Sequence, residues 1–537
     1  MLFAHNDQAV KKQVATATRQ AVATMLSAVE EGATVRALEE LAWKAAMQFG
    51  SSLLAMALNV MCARATERDM AKRGLCKEQV SVRMDGDYWG TLNTTLGPVM
   101  FSWFAYRDRS VTSASVTRTP AKATVLPLFK HCRSSELLLE WESRLGSDHP
   151  FRYAQEALSF FTHQAAHLED TTIARHMVTV GTLVDREWTY RTAKDIAHIL
   201  LTRAARDPNT DRPLLYASTD AHALRTYVDE TWDAQWKMAN GVRLWCIDRF
   251  NGATIHLGGE YTWGNCERVQ EIFEWLRDSG RMPSNGSFAN GLNAQIVLIT
   301  DGALWIKERI IPIFPSAIVL LDAYHLMEAL AKYAAARYRI GTTAAKKFYQ
   351  NAIDTLFGKS RSKKTKVPKK RRGHTKYSRN VTSAPTMPAL NAPRPRKRKR
   401  APAADRLLAL LAKGKIPKKL EENHDNLVNA IKNNADRIDY ERWRPRGYQI
   451  GSGAMESLHR TGSQMRLKIA GIRCLPETSQ AVFNLRMLRL CGRWEEFWRQ
   501  PDLTPRIIRA FEARKAELKR AKRKEHSKPE QALPEAA

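Results

Sequence analysis

Apolar and polar positions follow two rhythms along this chain, and the switches between them mark its parts. From about Val10 to Arg73 apolar residues recur at helical spacing, as at Leu38, Leu41, Ala42, Ala45, Ala46 and Phe49. That period predicts an N-terminal helical region over 1–79. Over 80–125 the period falls to two. Val80-Ser81-Val82-Arg83-Met84 and Val99-Met100-Phe101-Ser102-Trp103-Phe104 flank Gly86, Gly90 and Gly97, the pattern of a β-hairpin or meander. Helical spacing returns over 126–212. There, a segment from Tyr153 to His163 and another opening at Thr171-Thr172-Ile173-Ala174-Arg175 are separated by Leu168-Glu169-Asp170. Such spacing fits a helix-turn-helix that reads DNA, and equally an ordinary helical pair.

From residue 213 the rhythm is mixed. Leu214 to Asp220 reads as a strand. Val242 to Asp248 and Ala253 to Leu257 read as two more, flanking the hairpin signal Asn251-Gly252. Asn265 to Arg277 is an amphipathic helix with Val269, Ile272, Phe273 and Leu276 on one face. A strand over 294–300 ends in Asp301, a helix spans about 305–314, and a strand over 317–321 ends in Asp322 before a helix from His325. The order β-β-β-α-β-α-β-α is that of an RNase H-like fold, in which the first and fourth strands are adjacent and each can present a carboxylate. Residues 213–340 are thus the first part of a catalytic core, and 341–440 an all-helical insertion. The core resumes over 441–500, where Gly451-Ser452-Gly453-Ala454-Met455-Glu456 opens a helix, and 501–537 is a charged tail. The predicted class is multidomain α+β, with a mixed-sheet α/β core behind a mostly helical DNA-binding region.

Charge then narrows the partner. The 537 residues hold 85 Lys+Arg against 55 Asp+Glu, a net charge of +30. That excess points to a polyanion, with nucleic acid or an anionic membrane surface as the usual choices. Residues 359–400 alone carry 17 Lys/Arg and no Asp or Glu, in runs such as Lys369-Lys370-Arg371-Arg372 and Arg396-Lys397-Arg398. This reads as a disordered basic arm that binds phosphates. No uninterrupted apolar run approaches the roughly 20 residues of a membrane span, so no membrane partner is expected. The seven cysteines are scattered with no CxxC pair, which fits a reducing, cytoplasmic and nucleoid-associated setting. No P-loop motif is present, so no nucleotide cofactor is expected.

Three motifs carry a resemblance. They are Asp301-Gly302-Ala303-Leu304-Trp305-Ile306, Leu321-Asp322-Ala323-Tyr324-His325, and Pro445-Arg446-Gly447-Tyr448-Gln449-Ile450-Gly451-Ser452-Gly453-Ala454-Met455-Glu456-Ser457. Asn484-Leu485-Arg486 and Gly492-Arg493-Trp494 match more loosely. With these motifs the chain resembles bacterial insertion-sequence DDE transposases of the Mutator-like group, ISKra-type branch, over about residues 85–500. The resemblance implies a triad of Asp220, Asp301 and Glu456 holding two Mg²⁺ ions, with Mn²⁺ as the alternative. It also implies terminal inverted repeats and target DNA as substrates, and a homo-oligomer assembled on DNA. Asp220 is followed by Ala221 where relatives commonly have Gly, which leaves Asp248 as a rival first ligand. The paired cysteines of relatives are missing from 107–126, so no zinc module is expected. Asp322, His325 and Arg460 are expected to support the site, and Arg175, Thr171 and Thr172 to contact DNA beside the basic arm. Asp301 could instead be a helix cap. For Glu456 the alternative is a solvated helix residue, set against a docking stripe of Met455, Leu458 and Met465. Two other functions compete: a transposase-derived DNA-binding protein without catalysis, and a structure-selective nuclease.

Overall fold

A computed structural model describes residues 7–75, 80–83, 89–108, 117–227, 234–358, 401–472 and 474–526. The chain is α+β, with many helices around one mixed sheet of five strands. It opens with helices α1 (Asp7–Glu30) and α2 (Val35–Lys72). Thr34 starts α2 by accepting the Ala37 N–H on its side chain. Next come β1 (Val80–Arg83), β2 (Trp89–Thr94), β3 (Gly97–Ser102) and β4 (Ala105–Asp108). The expected meander forms two separate antiparallel pairs, β1 with β4 and β2 with β3. Leu58 and Cys62 of α2 pack on Leu92, Val99 and Phe101 of the second pair. By length and composition alone α2 could cross a membrane, at a mean hydropathy of 1.4 over its most apolar 18 residues. The run-length reading missed this because small polar residues interrupt an otherwise apolar helix.

Helices α3 (Glu136–Asp148), α4 (Phe151–Phe161), α5 (Asp170–Gly181) and α6 (Ala193–Thr202) lead into the sheet. Its strands are β5 (Leu214–Tyr227), β6 (Ala234–Ile247), β7 (Thr254–Trp263), β8 (Gln295–Thr300) and β9 (Ile318–Leu321), in the spatial order β7-β6-β5-β8-β9. The first three are antiparallel, whereas β8 runs parallel to β5 and β9 parallel to β8. The first and fourth core strands are therefore neighbours. β5 and β6 run several residues beyond the expected spans, because the alternation continues past Asp220 through His222 and Leu224.

Two-residue alternation gives the sheet two buried faces. Leu215, Ala217, Leu244 and Leu298 face α6 and α7 (Cys266–Asp278). On the other face Leu214, Tyr216, Trp245, Val297, Ile299 and Leu320 pack with Tyr448 and Ala454, which return from far along the chain. Between β9 and that return lies the insertion: α8 (Ala323–Tyr338), α9 (Thr343–Phe357), α10 (Ala403–Leu411) and α11 (Glu421–Asn433), joined by Leu330, Phe348, Leu407 and Ile431. Among the later helices are α12 (Gly453–Leu458), α13 (Pro476–Leu490) and α14 (Leu503–His526). The 126–212 helices share a core with these last elements. Met177, Val178 and Val180 of α5 meet Val482, Phe483 and Leu485 of α13 and Ile507 of α14. At Gly181 an added Cβ would lie 2.5 Å from the Ala481 Cβ, so glycine sets how closely α5 and α13 approach.

Candidate active site at the edge of the mixed sheet

Register puts three aspartates together. Ser218 of β5 is opposite Ile299 of β8, and Thr300 of β8 is opposite Leu321 of β9. Continued along the strands, the same pairing sets Asp220, Asp301 and Asp322 in one row at the C-terminal edge of the parallel strands. Ligands of open α/β sheets gather at such edges. Glycines open space here. Gly241, paired with Asp220 across β5 and β6, has Met455 and His459 directly over it, and an added Cβ would lie 2.4 Å from the Met455 Cε. Gly302 has φ +89°, a left-handed conformation that lets the chain turn sharply after Asp301.

The α12 segment is tied across this row at both ends. At its start, Asp322 accepts from the Ser452 N–H (3.1 Å) and from the Ser452 hydroxyl. The other Asp322 oxygen accepts the Tyr324 N–H at 2.7 Å, which caps α8. Past its end, His459 Nε2 lies 3.3 Å from Asp220 Oδ2, and His459 Nδ1 lies 3.1 Å from the Tyr261 hydroxyl. In the middle, the buried Arg243 guanidinium donates to the Ala454 carbonyl. Ser452, Glu456 and His459 are spaced i, i+4 and i+7, one stripe of a helix, so Glu456 stands between the two ties. Its carboxylate is exposed and makes no hydrogen bond or ion pair with the described residues.

Electrostatics sharpen the asymmetry among the acids. Burial pushes the Asp220 carboxyl up, but the His459 hydrogen bond and charge, with the Ala221 N–H, outweigh it and hold it below the usual carboxylate range. Burial, reinforced by the charge of His459, pushes His222 down to about 3. His222 is therefore neutral at physiological pH while its Nε2 lies 2.6 Å from the Ser463 hydroxyl. Burial lowers Arg243 to about 10. Asp301 is exposed, and one of its oxygens accepts the Ala303 N–H at 2.9 Å, closing its own turn.

The expected site residues fall into distinct places. Asp220, Asp301 and Glu456 lie along one edge, but their side chains do not converge: among the described residues no three His, Cys, Asp or Glu side chains form a group that could hold a metal ion. Asp322 is fully buried and structural, with the His325 Nδ1 3.5 Å away. Arg460 is exposed beside this edge. Asp248 is corrected as a rival first ligand. It follows the far end of β6, opposite the start of β5 rather than Asp220, where it pairs with Arg203 and accepts the Phe250 N–H of the hairpin turn. The docking stripe is corrected too. Met455 and Leu458 are buried, but Met465 is 57% exposed. Residues 459–464 form a π-helical turn, whose wider winding rotates Met465 outward and Arg466 and Leu467 inward.

Sequence reasoning missed His459, because a histidine near a glutamate on a mixed-polarity helix reads as a solvated face, and His222, because the predicted strand stopped at Asp220. It also missed Arg243, whose only signal was a cation inside an otherwise apolar strand. The looser motifs prove to be clamps: Arg486 holds Asp148 and the Thr461 carbonyl of the π turn, and Arg493 pairs with Glu496. In the N-terminal half of α5, Thr171 and Arg175 are exposed and Thr172 is half-buried. Lys369, Lys370, Arg371, Arg372, Arg396, Lys397 and Arg398 lie outside the described residues.

No family model and no curated protein matches the chain. Among solved structures it is similar to a Drosophila P element transposase strand transfer complex, with a TM-score of 0.30 and 10% identity over 69% of this chain and 93% of that one. A likeness of that size carries no inference about this chain.

Proposed function

We propose that this protein is a DNA transposase of an insertion sequence, cleaving and joining DNA at an RNase H-like edge built from Asp220, Asp301 and Glu456. One observation carries the reading: the row of aspartates, two at the ends of β8 and β9 and the third level with them within β5, spanned by a short helix that carries Glu456. The net charge of +30 supports DNA as the partner. Within this reading His459 and Tyr261 hold the Asp220 carboxylate in place, and Asp322 positions the Glu456 helix. The substrates are the element's terminal inverted repeats and a target DNA, engaged by a homo-oligomer. Carboxylate oxygens suit hard Mg²⁺ or Mn²⁺, and dependence on such an ion belongs to the proposal rather than to the geometry. Among the described residues the side chains as placed do not form a metal site.

The test uses the full chain and a plasmid carrying the DNA that flanks its gene, with Mg²⁺, Mn²⁺ or chelator. Nicking and joining are expected with metal, and neither in Asp220→Asn, Asp301→Asn or Glu456→Gln, while DNA binding stays within a factor of about two to three. Wild-type cleavage in any of the three variants would remove that residue from the site. The lack of convergence among the acids favours a second reading, a DNA-binding protein of transposase ancestry without catalysis. Binding of the flanking DNA with no cleavage under any metal would establish it.

A further inference from the structure

A cavity of about 480 Å³ opens beside Asp301, walled by the strand edge on one side and the helical insertion on the other. Its polar lining is Asp301, Lys307, His325, Asn433, Asn434 and Arg437. The exceptional member is Arg437, only 2% exposed. Among the described residues its one side-chain hydrogen bond runs from Nη1 to the Asn434 Oδ1 at 3.0 Å, and it forms no salt bridge. Buried cations in folded proteins are paired, because an isolated charge away from water is costly. Buried Arg466 and Arg243 are likewise held by neutral carbonyls, of Gly146 and Ala454, and Arg486 also reaches Asp148; Arg437 differs in opening onto a cavity.

The neighbours of Arg437 add to the imbalance. Lys307 is exposed at the cavity and has no acidic partner among the described residues. The Asn434 amide that supports Arg437 packs on the Asp301 turn itself, since an added Cβ on Gly302 would lie 3.0 Å from Asn434 Nδ2. The cavity is thus fixed rigidly to the strand end that carries Asp301. Burial also lowers the Arg437 guanidinium from its usual range, against the opposing charge of Asp436. Along the cavity lining the two cations, Lys307 and Arg437, outnumber the one carboxylate, that of Asp301.

We infer that this cavity is a phosphate site, which takes a backbone phosphate of the nucleic-acid strand lying beside Asp301, with Arg437 as its main donor and Lys307 at its mouth. The strand assignment rests on the proposed function. The oxyanion chemistry does not, because free phosphate presents the same group. A guanidinium offers several N–H donors in a fixed fork matched to phosphate oxygens, which a lysine at the same place would not.

The experiment has three arms on the full-length chain. In the first, duplex DNA from the gene flanks is titrated against wild type, Lys307→Ala, Arg437→Lys and Arg437→Gln, with thermal melts to check folding. Affinity should fall about tenfold in the Arg437 variants, and Lys307→Ala should reduce the slope of log affinity against log salt by about one. In the second, single uncharged methylphosphonates are stepped along the strand. One position should weaken wild type about tenfold and add nothing in Arg437→Gln; if that variant does not fold, Lys307→Ala serves, and the same position should cost it less than wild type. The third arm replaces DNA with inorganic phosphate, which should raise the melting temperature of wild type more than that of the variants. DNA binding that ignores both Arg437 and Lys307, with no sensitive phosphate position, would overturn the site and leave the functional reading standing. Phosphate protection without any DNA binding by wild type would overturn the strand assignment and the functional reading together.

Discussion

Asp322→Asn tests whether the Glu456 helix is held on the sheet by the contact described above. Asp322 is fully buried, and its Oδ2 accepts two hydrogen bonds from Ser452, one from the backbone N–H and one from the hydroxyl. Hydrogen bonds to a carboxylate contribute about 1.5–3 kcal/mol each. In the asparagine variant the Ser452 hydroxyl can turn and accept from the new amide, so that bond is replaced. The Ser452 N–H cannot reverse. If the amide nitrogen faces it, one buried donor is left unsatisfied, at about 1–3 kcal/mol. The net loss is about 2 kcal/mol, a factor of about 30 in the equilibrium for undocking. α12 has only six residues, too few to persist without docking, so the loss should show locally. Hydrogen exchange of the 451–458 amides, followed by mass spectrometry, should speed up about 30-fold while amides of β5 and β8 stay protected. Ser452→Ala should give a smaller increase, and the double variant should be less than additive. Unchanged exchange in 451–458, or full additivity, would refute the claim that this contact seats the helix.

Three further outcomes are expected. Asp248→Asn should leave DNA cleavage at the wild-type rate but lower the melting temperature, because it weakens the Arg203 pair and the hairpin turn without touching the aspartate row; lost cleavage in a folded variant would restore Asp248 as a site residue. His176 of α5 is buried against Cys132 and Glu142. Burial pushes it down, but the hydrogen bonds and charges of those two groups raise it from 6.5 to about 9. Since the folded value lies above the unfolded one, this stability is complete below about pH 6.5 and lost as pH climbs to about 9; melts across that range should show the decline, and Glu142→Gln should flatten it. Deleting 359–400, with its 17 Lys/Arg, should weaken binding to all DNA sequences alike and flatten the salt dependence of affinity; an unchanged slope would mean that the segment does not touch DNA.

The acids at strand ends were legible because each closes a run of apolar residues, and a buried run that stops at a carboxylate is hard to explain by packing alone. The β8 and β9 strands were legible for the same reason, and the helix after Gly451 from its Gly-Ser-Gly start. What stayed hidden is non-local. Nothing near Met177 in the sequence says that it will pack on Phe483 and Leu485, roughly 300 residues later, so the helices over 126–212 read as a module of their own. Asp248 looked like Asp220 because each closes a stretch that reads as a strand. Only the antiparallel pairing, which sends one strand up and the next down, puts them at opposite ends of the sheet. The tie from Tyr261 through His459 to Asp220 joins residues from three distant segments, and a helical period of 3.6 carries no trace of it. That same period placed Met465 inward, since a single widened turn leaves no mark in the pattern of apolar residues.

That widened turn makes the helix answer to two clocks. Up to His459 its angular phase is set by the sheet, where Glu456 and His459 must share a stripe with Ser452. Beyond Gln464 it is set by the helical layer, where the Arg466 guanidinium donates to the Gly146 carbonyl and Leu467 is buried. An unbroken α-helix advances about 100° per residue, and no single phase satisfies both surfaces. The extra residue in 459–464 absorbs the mismatch, as an escapement does between two gears. Chain length in this stretch is therefore a tighter constraint than residue identity. Removing one residue from it would turn everything downstream by about a quarter of a circle, and the helix could then serve the acidic edge or the helical layer, but not both.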